Sequence, residues 1–476
     1  MKLFKIRIQL IPVIFLMGVV QAGCKKFVEV KLPIDKNTSE TVFNNTALSV
    51  AAMTGVYGYL ANVSELSGGF NGLSITTSLM TDELTPIIPE YWPAYTNTVN
   101  SYSFDIWTTL YNPVIYRVNS IIEKLNASKE VPSSSKEILT SEAKFVRALA
   151  YFYLVNFYGD VPLVLTTDFK INSNIPRTDK LKVYDQIVAD LLDAQAGLKD
   201  DYLDVDLLTP TPERIRPNKA AATALLARVY LFIGKWIEAE QEASKIINNT
   251  AQYDTVALDK VFLKNSKEAI WQLQPNPLEA EGANTKDGRS LAINPFEGKP
   301  TFKLSSFLLS SFEANDKRKD AWFSVQGQDT LAYKYKAGWF VTDQIEYSTI
   351  LRLAEQYLIR AEARAQQGKL TGENSAVLDL NIIRRRAGLG DVEASGKDDI
   401  LEAIFNERYV ELFSEYGHRW LDLKRTGKLD ARMQIVTPIK GGIWASYQVL
   451  WPIPYAEFEK NPALRGHQNP GYKENQ

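Results

Sequence analysis

The chain has 476 residues, with 54 Lys and Arg against 56 Asp and Glu, two His and a single Cys. Charge so near balance excludes a broad cationic field for nucleic acid. One cysteine excludes an intrachain disulfide, and two histidines exclude chemistry that needs several imidazoles.

The first element in chain order is a targeting segment. Lys2, Lys5 and Arg7 precede an apolar stretch from Leu10 to Val20, then Gln21-Ala22-Gly23 and Cys24. The stretch is too short to span a bilayer, which takes about 20 residues, and its layout is that of a secretory signal. A signal that stops at Cys resembles a bacterial lipoprotein signal, although Gln21 stands where such signals usually carry Leu. Residues 1–23 are thus expected to be removed and Cys24 to carry lipid. Several acyl chains anchor stably where one binds only marginally. Residues 24–45 read as an extended leader.

A helix is expected near Thr46–Leu60. Residues 61–105 then read as irregular backbone, with Gly68, Gly69 and Gly72 followed by Pro86, Pro89 and Pro93. Rings and amides concentrate there. A sugar has apolar C–H faces and a rim of hydroxyls, so a site for it needs an aromatic plane plus amide or carboxylate groups. Tyr91, Trp92 and Tyr95 with Asp82, Asn97 and Asn100 offer both. The plainer alternative is that Trp92 plugs the loop onto a scaffold.

Apolar positions from Trp107 to Leu125 recur at three- and four-residue steps, with Pro113 expected to kink or split that helix. Further helices are expected over 136–158 and 179–198, the latter capped by Thr178. In 217–249, Leu226, Ala227, Tyr230, Gly234, Trp236 and Ala239 stand where a tetratricopeptide repeat places its signature residues. The stretch 350–387 repeats that form around Gln367-Gly368. Between these units, 250–345 reads as loops and short strands, with Trp322, Trp339 and Phe340 as second-choice ring platforms. A helix and its exit fill 398–425, and the last 45 or so residues read as irregular. The fold class expected is mainly α: tetratricopeptide-like helix pairs stacked into a superhelical scaffold, with irregular loops and a few short strands. The divisions are a signal over 1–23, a leader over 24–45, a helical region over 46–249, a loop-rich insert over 250–345 and a C-terminal region over 346–476.

Signatures of chemistry are sparse. There is no His-Glu-x-x-His, no Gly-x-Ser-x-Gly and no paired-cysteine spacing, so no metal and no cofactor is expected. Asp82-Glu83 is the one suggestive carboxylate pair in the aromatic loop. His418, with Asp422 one turn on, reads as a helix end that satisfies buried polar groups rather than as a base.

Four segments carry a family resemblance. They are Ala143–Phe152 continuing to Tyr158-Gly159-Asp160-Val161-Pro162-Leu163; Lys219–Gly234 with Ala-Leu-Leu-Ala-Arg-Val-Tyr at 224–230; Asn406-Glu407-Arg408 with Gly417–Arg425; and Trp451-Pro452-Ile453-Pro454 with Asn461-Pro462 and the closing Asn469-Pro470-Gly471-Tyr472. In this order, behind a lipoprotein-like signal, the chain resembles the SusD/RagB family of Bacteroidetes outer-membrane lipoproteins. The resemblance implies a helical, non-enzymatic protein that binds oligosaccharide at the cell surface. It also implies a hinged lid on a SusC-like, TonB-dependent barrel, into which the ligand is delivered. Arg147 and His418 would then be structural. The neighbourhood of Asp82, Trp92 and Asn97 falls where a member's glycan site could lie. Lys25 and Lys26 follow Cys24 where surface-displayed lipoproteins often carry acidic residues. The competing functions are a surface glycosidase resting on Asp82-Glu83 and a ligand-free structural adaptor of a transporter complex.

Overall fold

The computed structural model describes residues 39–475, apart from Ser64, Phe104, Asp105 and Ser395. The signal, Cys24 and the leader as far as residue 38 lie outside the described residues. Ser39–Val42 is a single helical turn.

Helix α1 (Thr46–Asn62) starts where Asn45 accepts from the Leu48 amide at 3.0 Å, and it buries Val50, Met53, Val56, Tyr57 and Leu60 along one face. The stretch 61–105 is more ordered than its glycines suggest. It contains α2 (Leu73–Met80), whose eight residues are all buried. A Cβ on Gly72, just before it, would fall 2.4 Å from the Gly68 carbonyl carbon, so only glycine permits that crossing. Strand β1 (Leu84–Pro86) follows.

Pro113 acts as its chemistry requires. Ile106–Leu110 is helical, Tyr111–Ile115 widens into a π turn around the missing N–H, and α3 (Tyr116–Ala127) resumes. Helix α4 (Ser133–Tyr158) is buried without interruption from Phe145 to Tyr158, the signature of a central helix. Each fully buried Leu or Phe there contributes about 1.5–3 kcal/mol. Helix α5 (Lys180–Gly197) is capped by Asp179, which accepts from the Leu181 amide at 2.8 Å, and not by Thr178. A carboxylate in the first turn also suits the helix dipole.

Asn218 caps α6 (Lys219–Phe232), Gly234 turns the chain at φ +72°, and α7 (Trp236–Ile247) returns with Ala227 and Ala239 fully buried between the pair. In the insert, β2 (Ala269–Leu273), the short helix α8 (Lys286–Leu291) and β3 (Phe302–Leu304) are followed by β4 (Ser348–Arg352). Then come α9 (Leu353–Gln366), α10 (Ala376–Arg386), α11 (Lys397–Leu412) and α12 (His418–Arg425). The C-terminal stretch is not wholly irregular, because α13 (Leu429–Ile439) and the turn Tyr455–Lys460 are helical.

The helices α3 to α7 pack neighbour on neighbour, and α7 continues onto α9 and α9 onto α10, so one stack runs through segments distant in sequence. Buried arginines clamp successive layers. Arg147 grips Asp190 at 2.8 and 2.7 Å and Asn119 at 2.8 Å, joining α3, α4 and α5. Arg228 joins α6 to α9 through Glu355, both bonds at 2.7 Å, and Arg360 and Arg364 join α9 to α10 through Asp379. Such planar two-pronged pairs fix register. Strands β2 and β4 pair antiparallel, seating the insert on the scaffold. Residues 46–249, 250–345 and 346–476 accordingly belong to one unit spanning Phe43–Gln476.

Candidate functional site

The pairing of β1 with β3 builds the site. Its register (Leu84↔Leu304, Pro86↔Phe302) and the bond from the Ile87 amide to Thr301 O at 2.8 Å bring the loop after β1 onto the insert. Phe302, 1% exposed, is the floor on which the other rings rest. The Tyr91 ring meets it edge-on at 4.8 Å, and Phe70 lies 6.1 Å from it. Phe70 in turn stacks on Tyr91 at 6.2 Å and tilts against Trp339 at 6.3 Å. Phe296 stands edge-on to Trp339 at 5.6 Å and to Phe340 at 6.0 Å. The chain of rings thus runs from a buried floor to solvent, where Phe296 is 72% and Phe340 53% exposed. Phe70 and Trp339 between them are partly exposed, so the row is a graded aromatic surface that a ligand or partner can reach.

Backbone geometry supports the same place. Phe340 has φ +61°, a left-handed conformation that a bulky residue adopts only where its surroundings over-determine it. Here its amide donates to Glu281 O at 2.7 Å and the Ala283 amide donates to Val341 O at 2.9 Å, tying 338–341 to 279–283. The indole N–H of Trp339 has no acceptor among the described residues.

Beside the rings lies a cleft of about 350 Å³, walled by Phe70, Asn71, Trp339, Glu279, Glu281, Lys286 and Arg289. One wall is the glycine loop Gly68–Gly72, and α8 supplies the opposite cations. Thr285 caps α8 by accepting from the Gly288 amide at 3.0 Å. Asp287, 2% exposed, accepts from the Gly69 amide and from Ser74 Oγ, both at 3.3 Å. Burial raises its carboxyl to about 6 against the pull of those two donors. A Cβ on Gly68 would fall 2.5 Å from Asp287 Oδ1, so glycine at 68, φ +81°, is what lets the loop close over the carboxylate. Asp287 thereby fixes the backbone from which Phe70 projects.

The residues expected from sequence divide. Trp339 is in the ring cluster, and Phe340 with it. Trp92, 45% exposed, lies next in chain to Tyr91 and meets the half-buried Tyr95 edge-on at 5.6 Å, with Lys440 Nζ 5.0 Å from the Tyr95 ring. Asn100 is exposed, and its Oδ1 accepts from the Tyr102 amide at 2.9 Å and Ser103 Oγ at 3.2 Å, a local turn. Three expected residues are corrected. Asp82, 1% exposed, accepts from Arg419 at 2.8 and 2.7 Å and from Arg432 at 2.7 Å; it is an internal ion-pair hub, not a sugar contact. Asn97, 1% exposed, donates to Met80 O at 2.9 Å and accepts from Thr437 Oγ1 at 3.0 Å, pinning the loop to α13. Trp322 is fully buried, its Nε1 donating to Leu258 O at 2.9 Å with Phe262 and Phe413 against its ring. His418 is buried too, and burial together with Arg228, Arg408, Arg352 and Lys334 holds its imidazole well below the usual range, hence neutral.

Phe70 and Phe296 were not legible as site residues. The one usable signal for Phe70 is its setting, Gly68-Gly69-Phe70-Asn71-Gly72, a lone ring in a glycine run. Phe296 sits among Asn294, Pro295, Glu297 and Gly298 in the same manner.

A stack of helix pairs carrying a ring-lined surface cleft defines a scaffold-borne binding protein. Comparison with known proteins agrees. The profile described as "SusD family" matches residues 330–472, and that described as "Starch-binding associating with outer membrane" matches 26–231. "SusD-like protein P2" of Formosa agariphila is 27% identical over 393 residues, 70% of this chain and 73% of that protein. "Starch-binding protein SusD" of Bacteroides thetaiotaomicron is 33% identical over 130 residues, 26% of this chain and 21% of that one. A solved "Laminarin binding SusD-like protein" superposes with a TM-score of 0.73 at 25% identity, over 89% of this chain and 99% of that one. The chain belongs to the SusD/RagB family.

Proposed function

We propose that this protein is a passive oligosaccharide receptor of the outer membrane, anchored by lipid on Cys24 and handing its ligand to a SusC-like, TonB-dependent barrel. The observation that carries the binding step is the row Phe70–Trp339–Phe296–Phe340 beside the cleft of about 350 Å³. Rings stack on the C–H faces of sugars, and Asn71, Glu279 and Glu281 meet the hydroxyls. Trp92, with Tyr95 behind it, extends the aromatic surface from the neighbouring turn, and Asn100 is an outlying polar contact. The laminarin-binding structure and the starch-binding relative support a glucan-like ligand. The description of the match over 26–231 supports association with the outer membrane. The signal-like N-terminus ending at Cys24 supports the lipid anchor, and the family resemblance supports the barrel as partner.

No catalytic step belongs to this reading. Asp82 and Glu83, the carboxylate pair that would favour a glycosidase, are 1% and 2% exposed and face Arg419 and Ser78. Trp339→Ala should weaken binding of laminarin or maltose-series oligosaccharides by at least about tenfold, as loss of a central ring does. Titration calorimetry on folded protein measures it, and an unchanged isotherm removes the cleft as the binding site.

A further inference from the structure

The cleft's two cations are already engaged by the protein itself. Arg289 Nη2 donates to Glu279 Oε2 at 2.5 Å, and Nη1 donates to Gly282 O at 3.3 Å while lying 3.7 Å from Glu281. Lys286 Nζ donates to Asn62 O at 2.5 Å and lies 3.7 Å from Glu279. The Arg289 side chain is 4% exposed and that of Glu281 61%, while Lys286 and Glu279 are each 27% exposed. Glu65 adds a third carboxylate to the wall, accepting from Thr109 Oγ1. Asp287 lies directly under the glycine loop. Three wall carboxylates and a fourth beneath them therefore outnumber two cations, each already bound to the protein itself. An incoming ligand meets aromatic planes and carboxylate oxygens.

That arrangement has a chemical consequence. Hydroxyls are good donors to carboxylate oxygens, and such charge-assisted bonds are the stronger kind. A uronate or sulfate brings a like charge instead, well inside a Debye length of about 8 Å, and every cation lining the cleft is held by an internal carboxylate or carbonyl. Like-charge juxtaposition is an effective device for rejecting a wrong partner. We infer that the cleft selects uncharged oligosaccharide and rejects uronate- and sulfate-bearing glycans, an inference that rests on the glycan-receptor reading above.

The test is calorimetric titration of the purified mature protein with laminarin and maltose-series oligosaccharides, and with polyuronate oligosaccharides of equal length. Titrations run at roughly 20 mM and roughly 500 mM NaCl, because added salt screens repulsion. The expected result is that a neutral probe binds at least about tenfold tighter than the polyuronate at low salt, and that salt narrows the gap. Glu281→Lys should shrink the neutral-to-anionic affinity ratio at least about fivefold. Polyuronate binding as tight as, or tighter than, the neutral probes at low salt overturns the charge selection and leaves the receptor reading standing. Binding of no probe of either charge overturns both.

Discussion

Asp82 and Glu83 are neighbours with opposite titration behaviour, and the difference is a matter of partners. Both are buried, which alone raises a carboxyl. For Asp82, the guanidiniums of Arg419 and Arg432 outweigh burial and hold it at about 2. Its contribution to stability is therefore present above the unfolded value, about 4, and is lost as pH falls toward 2. For Glu83, burial, joined by the Asp82 charge, wins over the Ser78 hydroxyl and the weaker pull of Arg419 and Lys334, and the carboxyl stands at about 7. Here the sign reverses. Between about pH 4 and 7 the unfolded chain releases this proton while the folded chain keeps it, so the group destabilises the fold increasingly as pH rises through that window. Glu83→Gln removes the titration. Urea denaturation at a series of pH values should show the variant gaining on the parent from pH 4 to 7 and holding a constant difference above; a gap independent of pH would contradict the assignment.

At the scale of elements, the glycine loop and α8 act as one device. Gly68→Ala puts a methyl group against the Asp287 carboxylate at a backbone angle that disfavours any side chain. The expected cost is about 1–3 kcal/mol in stability, accompanied by weaker oligosaccharide binding as Phe70 shifts; wild-type stability and affinity in the variant would mean the loop is not held by Asp287. This scale also separates what sequence discloses from what it hides. The helix pair was legible because Leu226, Ala227 and Tyr230 before the Gly234 turn, and Trp236 and Ala239 after it, stand at the signature positions of a tetratricopeptide repeat. Helix α2 was not, because Leu73–Met80 is buried on every side and its Ser and Thr residues show no apolar stripe. Its hydroxyls are satisfied locally, as where Thr77 Oγ1 donates to Leu73 O at 2.7 Å. Asp82 read as a sugar contact because composition shows a carboxylate in an aromatic loop and cannot show Arg419, 337 positions away. The ring cluster was half legible for the same reason. Trp339 and Phe340 stood out locally, whereas their juxtaposition with Phe70 depends on the pairing of β1 with β3.

Over the whole molecule, the stack is held in register by buried arginines between segments far apart in the chain. Arg228 and Glu355, 2% and 1% exposed, join α6 to α9 across 127 positions. Arg228→Met strands a buried carboxylate and should cost about 3–5 kcal/mol in urea denaturation. The double variant with Glu355→Met should recover most of that loss, since no charge is then left unpaired. Additive losses would mean the two residues do not act as a pair. The scaffold's rigidity has a functional use: it holds Phe70, Trp339 and Phe296, which come from separate loops, at fixed separations, so the ordering cost of presenting them to a ligand falls on folding rather than on binding.

The structure of the protein crystallised with a laminarin or maltose-series oligosaccharide tests the placement of the ligand directly. Sugar rings should lie in van der Waals contact, within about 4 Å, of Trp339, Phe296 or Phe70, with hydroxyls directed at Glu279, Glu281 or Asn71. An oligosaccharide seated elsewhere, with the Phe70–Trp339–Phe296 row bare, would contradict it.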